Sequence, residues 1–122
     1  MTPPNAATIF QLMGWSQIPR EQVAEGIVRQ MIHGDRLMVC RLTIAAHTVT
    51  PVHRHYHEQI TLVERGRVDF FVEDERKTAA PGDVLLFPSN VRHGATMLDE
   101  EVVLIDIFSP PREEFLVNDA PR

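Results

Sequence analysis

The stretch His53-Arg54-His55-Tyr56-His57-Glu58-Gln59 places two imidazoles at i and i+2. In an extended segment residues two apart project from one face, so His53 and His55 can grip a single metal ion. Gln59 shares their parity. A further donor, His93, follows a Gly82-x5-Pro88 turn signature. Three ring nitrogens and an amide oxygen, drawn from two separate segments, outline a metal site.

Outward from this stretch the pattern is strand-like, with turn residues punctuating short apolar alternations. Ile27 to His33 and Leu37 to Ile44 flank His33-Gly34-Asp35, where Gly-Asp marks a hairpin turn. Ile60 and Leu62, then Val68, Phe70 and Val72, bracket Glu64-Arg65-Gly66-Arg67. Pro81-Gly82-Asp83 opens the run Val84 to Phe87. Glu101 to Phe108 is a last long strand, stopped by Ser109-Pro110-Pro111 because proline cannot donate to a ladder. These runs read as successive antiparallel strands of an all-β barrel, followed by a short terminal turn.

At 122 residues the chain reads as one domain, 1–122, with a core over about 24–110. A net charge of −5, with basic residues scattered and only Lys77 a lysine, argues against nucleic acid as a partner. The single cysteine, Cys40, lies in an apolar alternation and reads as a small buried hydrophobe of a reducing compartment, with a catalytic thiol as the minor alternative. No signal-like leader or membrane-length apolar run is present, so a soluble cytoplasmic protein is expected, with no membrane partner. The apolar lead containing Ile9, Phe10, Leu12, Met13 and Trp15 either pairs with a second subunit, as a strand exchanged in a homodimer, or folds back on its own barrel. The ends, Met1 to Ala7 and Asn118 to Arg122, read as frayed.

Pro51-x-His53-x-His55-x3-Gln59-x6-Gly66 resembles the first motif of the cupins, and Gly82-x5-Pro88-x-Asn90-x2-His93 resembles the second, with fifteen residues between Gly66 and Gly82. The resemblance implies a double-stranded β-helix, the jelly-roll barrel, with a metal in its mouth held by His53, His55, Gln59 and His93. Gln59 replaces the family's usual glutamate. Asn90 replaces a glycine and tolerates positive φ nearly as well. Among cupins the chain is most similar to the small KdgF proteins, which convert unsaturated monouronates from pectin and alginate into linear keto sugars. The pieces that match are His53 to Gln59 and the tail Asp106-Ile107-Phe108-Ser109-Pro110-Pro111-Arg112-Glu113-Glu114-Phe115-Leu116.

Imidazole suits zinc, nickel, copper, iron and manganese alike, so the donor set implies one divalent transition metal without naming it. A neutral amide in place of a carboxylate leaves the full dipositive charge on the site, which favours a small anionic, chelating substrate. Asp106 shares a strand face with Val102, Leu104 and Phe108, and a carboxylate on an apolar inward face is costly unless paired or used. Two readings compete: a general acid/base beside the metal, or a buried ion pair with Arg112 or Arg41. Similarity to the KdgF proteins implies the first, with Phe108 as a wall and Arg112 gripping the substrate carboxylate.

His57 shares ligand parity, but a bend after His55 points it to the pocket wall or a position behind the ligands. Glu58 has the opposite parity and reads as solvated. His33 and His47 lie in or beside turns and read as structural. The expected activity is ring opening and tautomerisation of a 4,5-unsaturated monouronate. The alternatives are a metal-dependent dioxygenase or carbon-carbon lyase, or a barrel that only binds a small ligand or metal.

Overall fold

The computed structural model describes residues 10–117. Ten strands form two antiparallel sheets: β1 (Glu21–Ala24), β2 (Ile27–His33), β3 (Met38–Ile44), β4 (Val49–His53), β5 (Glu58–Arg65), β6 (Val68–Val72), β7 (Glu75–Ala79), β8 (Val84–Phe87), β9 (His93–Met97) and β10 (Val102–Ser109). One sheet has the order β1-β2-β3-β10-β5-β8, the other β4-β9-β6-β7. The terminal turn expected after Pro111 is a short helix, α1 (Glu113–Val117), with Glu113 and Glu114 in its first turn.

Consecutive strands are less often neighbours than the alternation suggests. Only β1–β2, β2–β3 and β6–β7 pair directly along the chain, whereas β5 and β6, on either side of Gly66, belong to different sheets. Gly66 makes that switch at φ 81, where an added Cβ would stand 2.5 Å from the Glu101 carbonyl oxygen. Four strands escaped the alternation. β7 is polar and exposed, β4 contains Pro51, β9 contains Gly94, and β1 is a four-residue edge strand.

The main core, including Ile44, Val63, Val68, Phe70, Phe87, Met97, Val102 and Leu104, lies between the sheets. A second cluster of Met38, Cys40 and Phe108 packs Phe115 and Leu116 of α1 against the barrel. Burial pushes the Cys40 thiol up to about 12, with the Asp106 charge adding to the effect, so the thiolate is suppressed as the structural reading of Cys40 requires. Along β5 the apolar pattern is inverted: Gln59, Thr61 and Val63 face inward, while Ile60 is exposed and pairs across with Leu86. An inward polar pair is tolerated only with internal partners, and these are found in the site below.

Within the lead, Trp15–Gln17 forms one 3-10 turn, and the Gln30 side chain of β2 donates to the Trp15 and Ile18 carbonyls at 2.7 and 3.0 Å. This part therefore lies on its own barrel, although Phe10 and Leu12 remain exposed. Ile9 and the two ends, 1–7 and 118–122, lie outside the described residues. No described helix is long and apolar enough to cross a membrane.

Candidate metal centre

His53 at the end of β4 faces His93 at the start of β9 in a cross-strand pair, and their ring centroids are 4.4 Å apart. His55, in the loop after β4, approaches from the side, with its ring 5.0 Å from that of His93. One ligand atom from each of the three lies within 4.8 Å of the others. Each Nδ1 meets a backbone carbonyl: His53 that of Pro51 at 3.0 Å, His55 that of His57 at 3.1 Å, His93 that of Val91 at 3.0 Å. A carbonyl can only accept, so each Nδ1 carries the proton and each Nε2 presents its lone pair.

The His55 Nε2 is buried without any hydrogen-bond partner among the described residues, a cost that a metal ion would remove. Burial, aided by Arg112 and the other two imidazoles, pushes His55 down to about 4, and burial likewise lowers His93. Both rings are therefore neutral near pH 7, the form that ligates metal. Asn90, at φ 67, turns the chain ahead of His93, and its backbone N–H donates to the His55 carbonyl at 2.8 Å. The donor set and its outer hydrogen bonds thus fit a divalent transition metal.

Gln59 lines the same cavity. Its Nε2 donates to Thr61 Oγ1 at 2.9 Å, which leaves Oε1 as the atom available to a metal. Thr61 in turn donates to Asp106 Oδ1 at 2.7 Å. Asp106 and Thr61 are opposite one another in the β10–β5 ladder, so the register itself builds this relay. Burial raises the Asp106 carboxyl from 3.8 to about 6, against the opposing pull of Thr61, Arg112 and Gln59. Neither arginine expected as an ion-pair partner fills that role: Arg41 faces Glu64 at 3.5 Å, and Arg112 bonds Glu114 through Nε at 2.6 Å. Arg41 has the opposite strand parity to Cys40, the residue directly across from Asp106, and so projects away from the inward face.

Phe108 is buried and meets the His55 ring edge-on at 5.9 Å between centroids. The Arg112 guanidinium lies 5.1 Å from the Phe108 ring centre and 4.5 Å from that of Phe115. Both residues line a cavity of about 900 Å³ together with His53, His93, Gln59 and Asp106. His57 points elsewhere: it is buried behind His55, and its Nε2 meets Glu113 at 2.6 Å, while Tyr56 donates to the other Glu113 oxygen at 2.6 Å. It therefore tethers α1 to the metal-site loop. Glu58 is exposed as expected, as are His33 and His47, the latter at φ 66 and 3.9 Å from Asp99.

Sequence reasoning missed three contributors. Thr61 carries no signal of its own, because its role depends on the β5–β10 register. Glu113 meets a histidine 56 positions away. Arg29, buried in β2 and lining the cavity, was detectable by the argument that picked out Asp106: a charge between Ile27 and Met31 on an inward face.

The cupin domain model matches residues 40–108. The pectin degradation protein KdgF of Dickeya dadantii (strain 3937) is 36% identical over 103 residues, covering 82% of this chain and 93% of that protein. The structure of KdgF from Halomonas sp. superposes with a TM-score of 0.83 at 29% identity, covering 87% of this chain and 98% of that one. An RmlC-like cupin from Shewanella frigidimarina NCIMB 400 gives 0.82 at 31% identity, over 87% and 96% of the two chains. With its two-sheet architecture and paired histidine segments, the chain belongs to the cupin family and, within it, is a homologue of KdgF.

Proposed function

We propose that this protein is a metal-dependent cupin enzyme that converts 4,5-unsaturated monouronates into linear keto acids by ring opening and tautomerisation. The observation that carries this reading is Asp106, a buried carboxylate whose side-chain hydrogen bond among the described residues comes from Thr61 of the Thr61–Gln59 relay, in the same cavity as His53, His93 and Arg112. The KdgF relatives support it. Arg112 exchanges its Glu114 partner for the substrate carboxylate, a task suited to the planar guanidinium. Phe108 forms the wall against which the ring rests.

Asp106 moves the protons. The anomeric hydroxyl gives up its proton as the bond between ring oxygen and anomeric carbon breaks, and the ring oxygen gains a proton to become an enol. The enol hydroxyl then loses its proton while the neighbouring alkene carbon gains one, which leaves a ketone. No electrons leave the substrate. A carboxyl raised to about 6 is suited to giving and taking protons near neutrality. A divalent zinc, nickel, manganese, iron or copper ion bound by His53, His55, Gln59 and His93 would supply Lewis-acid stabilisation of the enolate-like charge.

The test combines elemental analysis of the purified protein with the loss of unsaturated-galacturonate absorbance. The expected result is about one metal per chain and turnover that falls roughly 10²–10⁴-fold in Asp106→Ala. Unchanged turnover in that variant would end the proton-transfer assignment. Oxygen consumption tied to one redox metal would instead favour the oxygenase class.

A cytoplasmic homodimer is part of the same proposal. Leu86 and Val84, 60% and 66% exposed on the edge strand β8, stand beside Ile60 and Leu62 in a row that a second copy would cover. Sedimentation at twice the 13.9 kDa chain mass is expected, with Leu86→Glu shifting the protein toward monomer. A monomeric wild type at micromolar concentration removes the dimer from the reading.

A further inference from the structure

Arg29 is only 5% exposed, yet its sole hydrogen-bonding partner among the described residues is Glu21 Oε1, 3.0 Å from one terminal nitrogen. Its Nε is buried with no partner among the described residues. A guanidinium has five N–H donors, so most of its capacity is unspent in a place where unspent donors are costly. Glu21 belongs to the edge strand β1 and its side chain is 43% exposed, which leaves it free to swing into solvent.

The guanidinium also lies 4.3 Å from the centre of the Phe115 ring, the same ring that Arg112 covers at 4.5 Å. Two cations thus share one aromatic side chain, each neutralised by a partly exposed carboxylate, Glu21 for Arg29 and Glu114 for Arg112. Such carboxylates are displaceable by an anion that enters the cavity, since their half-exposed side chains regain water on leaving while the buried arginines keep a charged partner.

The register gives the spacing. Asp106 is opposite Cys40 and Cys40 opposite Met31, whereas Arg29 is opposite Leu42 and Leu42 opposite Leu104. Arg29 therefore stands two strands from Asp106 and two residues along. At strand spacings of about 4.8 Å and a rise of about 3.3 Å per residue, the two Cα atoms are roughly 12 Å apart. Both side chains line the cavity, and the long arginine covers about half of that gap.

We propose that Arg29 is a second substrate-binding residue that sets specificity, addressing the oxygen-bearing end of an open-chain sugar acid opposite the end held by Arg112 and Asp106. This rests on the uronate reading above and adds to it a requirement on the far end of the ligand. A carboxylate there engages Arg29 more strongly than a neutral aldehyde or hydroxyl, because it adds an opposite charge and can accept two parallel N–H bonds from the planar guanidinium.

The experiment is titration calorimetry of the metal-loaded protein with two probes. Galactonate is open-chain and carries one carboxylate, and galactarate carries one at each end of the same carbon chain. Wild type is expected to bind galactarate at least about 10-fold more tightly, in line with the strength of a hydrogen bond to a charged group. Arg29→Gln brings the ratio of the two affinities near one, Arg29→Lys keeps part of it, and Glu21→Gln raises it by freeing the arginine. If Arg29 merely braces Phe115, Arg29→Gln weakens both acids together and leaves the ratio intact, which overturns the assignment. A wild-type ratio near one overturns it as well. Should Arg29→Gln fail to fold, an unchanged ratio in Glu21→Gln is the refuting result. If wild type binds neither acid, the uronate reading falls and the Arg29 assignment falls with it.

Discussion

Replacing Asp106 by asparagine is expected to stabilise the metal-free protein while it destroys activity. The carboxyl is 7% exposed, and burial lifts it from 3.8 to about 6. The folded protein therefore binds this proton more tightly than the unfolded chain does. Between about pH 4 and pH 6 the native state carries the extra proton, so stability falls as pH rises and levels off above the folded value. About two pH units at 1.36 kcal/mol each correspond to a cost of about 3 kcal/mol at pH 8.

Asparagine is close to isosteric, retains an oxygen to accept the Thr61 hydroxyl, and never ionises. Thermal melts in chelator at pH 8 should place Asp106→Asn above wild type by about 10 °C for a domain of this size, with the gap closing near pH 4. The two proteins share every other titratable group, so the difference isolates position 106. A variant that melts at or below wild type at pH 8, with the same gap at pH 4, would refute the claim that Asp106 is held ionised at a cost. Activity should fall with the stability gain, as expected of a group kept for function.

Three further outcomes follow from the site and its supports. His55→Ala, which removes the buried and unpartnered Nε2, should leave purified protein largely empty of metal by elemental analysis while it remains folded by circular dichroism. Gly66→Ala should cost several kcal/mol or prevent folding, because the new Cβ would stand 2.5 Å from a carbonyl oxygen; Gly82→Ala, at φ 96 with open space around it, should cost only about 1–2 kcal/mol in thermal melts. Tyr56 is the only tyrosine, so its ionisation can be followed by ultraviolet absorbance. The Glu113 hydrogen bond raises its pKa above 10, and Glu113→Gln should bring it back toward the ordinary value.

The same tether sets an acid limit. The Tyr56 bond first, then the local backbone and His57, pull Glu113 down to about 2. A lowered carboxylate contributes stability above its unfolded value and loses it as pH falls toward the folded one, so the hold on α1 should persist well below pH 4.

The three-histidine cluster was legible because its logic is local: His53 and His55 sit two apart, and His93 follows a turn whose residues announce it. Asp106 was legible for a related reason, since one carboxylate on a face of apolar residues contradicts its surroundings. Two readings competed for it, a general acid/base and, as the lesser, a buried ion pair. Charge alone suggested Arg41 or Arg112, but the β5–β10 register delivers a threonine, and Arg112 is taken by Glu114. Parity could not place His57 beyond the bend after His55, which left the pocket wall or a position behind the clustered histidines, and its partner lies in α1, at a distance along the chain that no periodicity reports. Ile60 and Leu62 mark a strand correctly, but the inward face of β5 carries Gln59 and Thr61, because the site needs polar groups where a plain barrel would bury aliphatic ones.

By itself the sequence determined the all-β character of the chain, the two segments that bear the clustered histidines, and the anomalous carboxylate, because alternation and turn chemistry are properties of consecutive residues. Only the tertiary structure decided which strands are neighbours, and with them the Gln59–Thr61–Asp106 relay, the tether on α1 and the inward Arg29. A strand's alternation specifies its two faces but not what stands across from it, and cross-strand partners are fixed by how two sheets close over a common core.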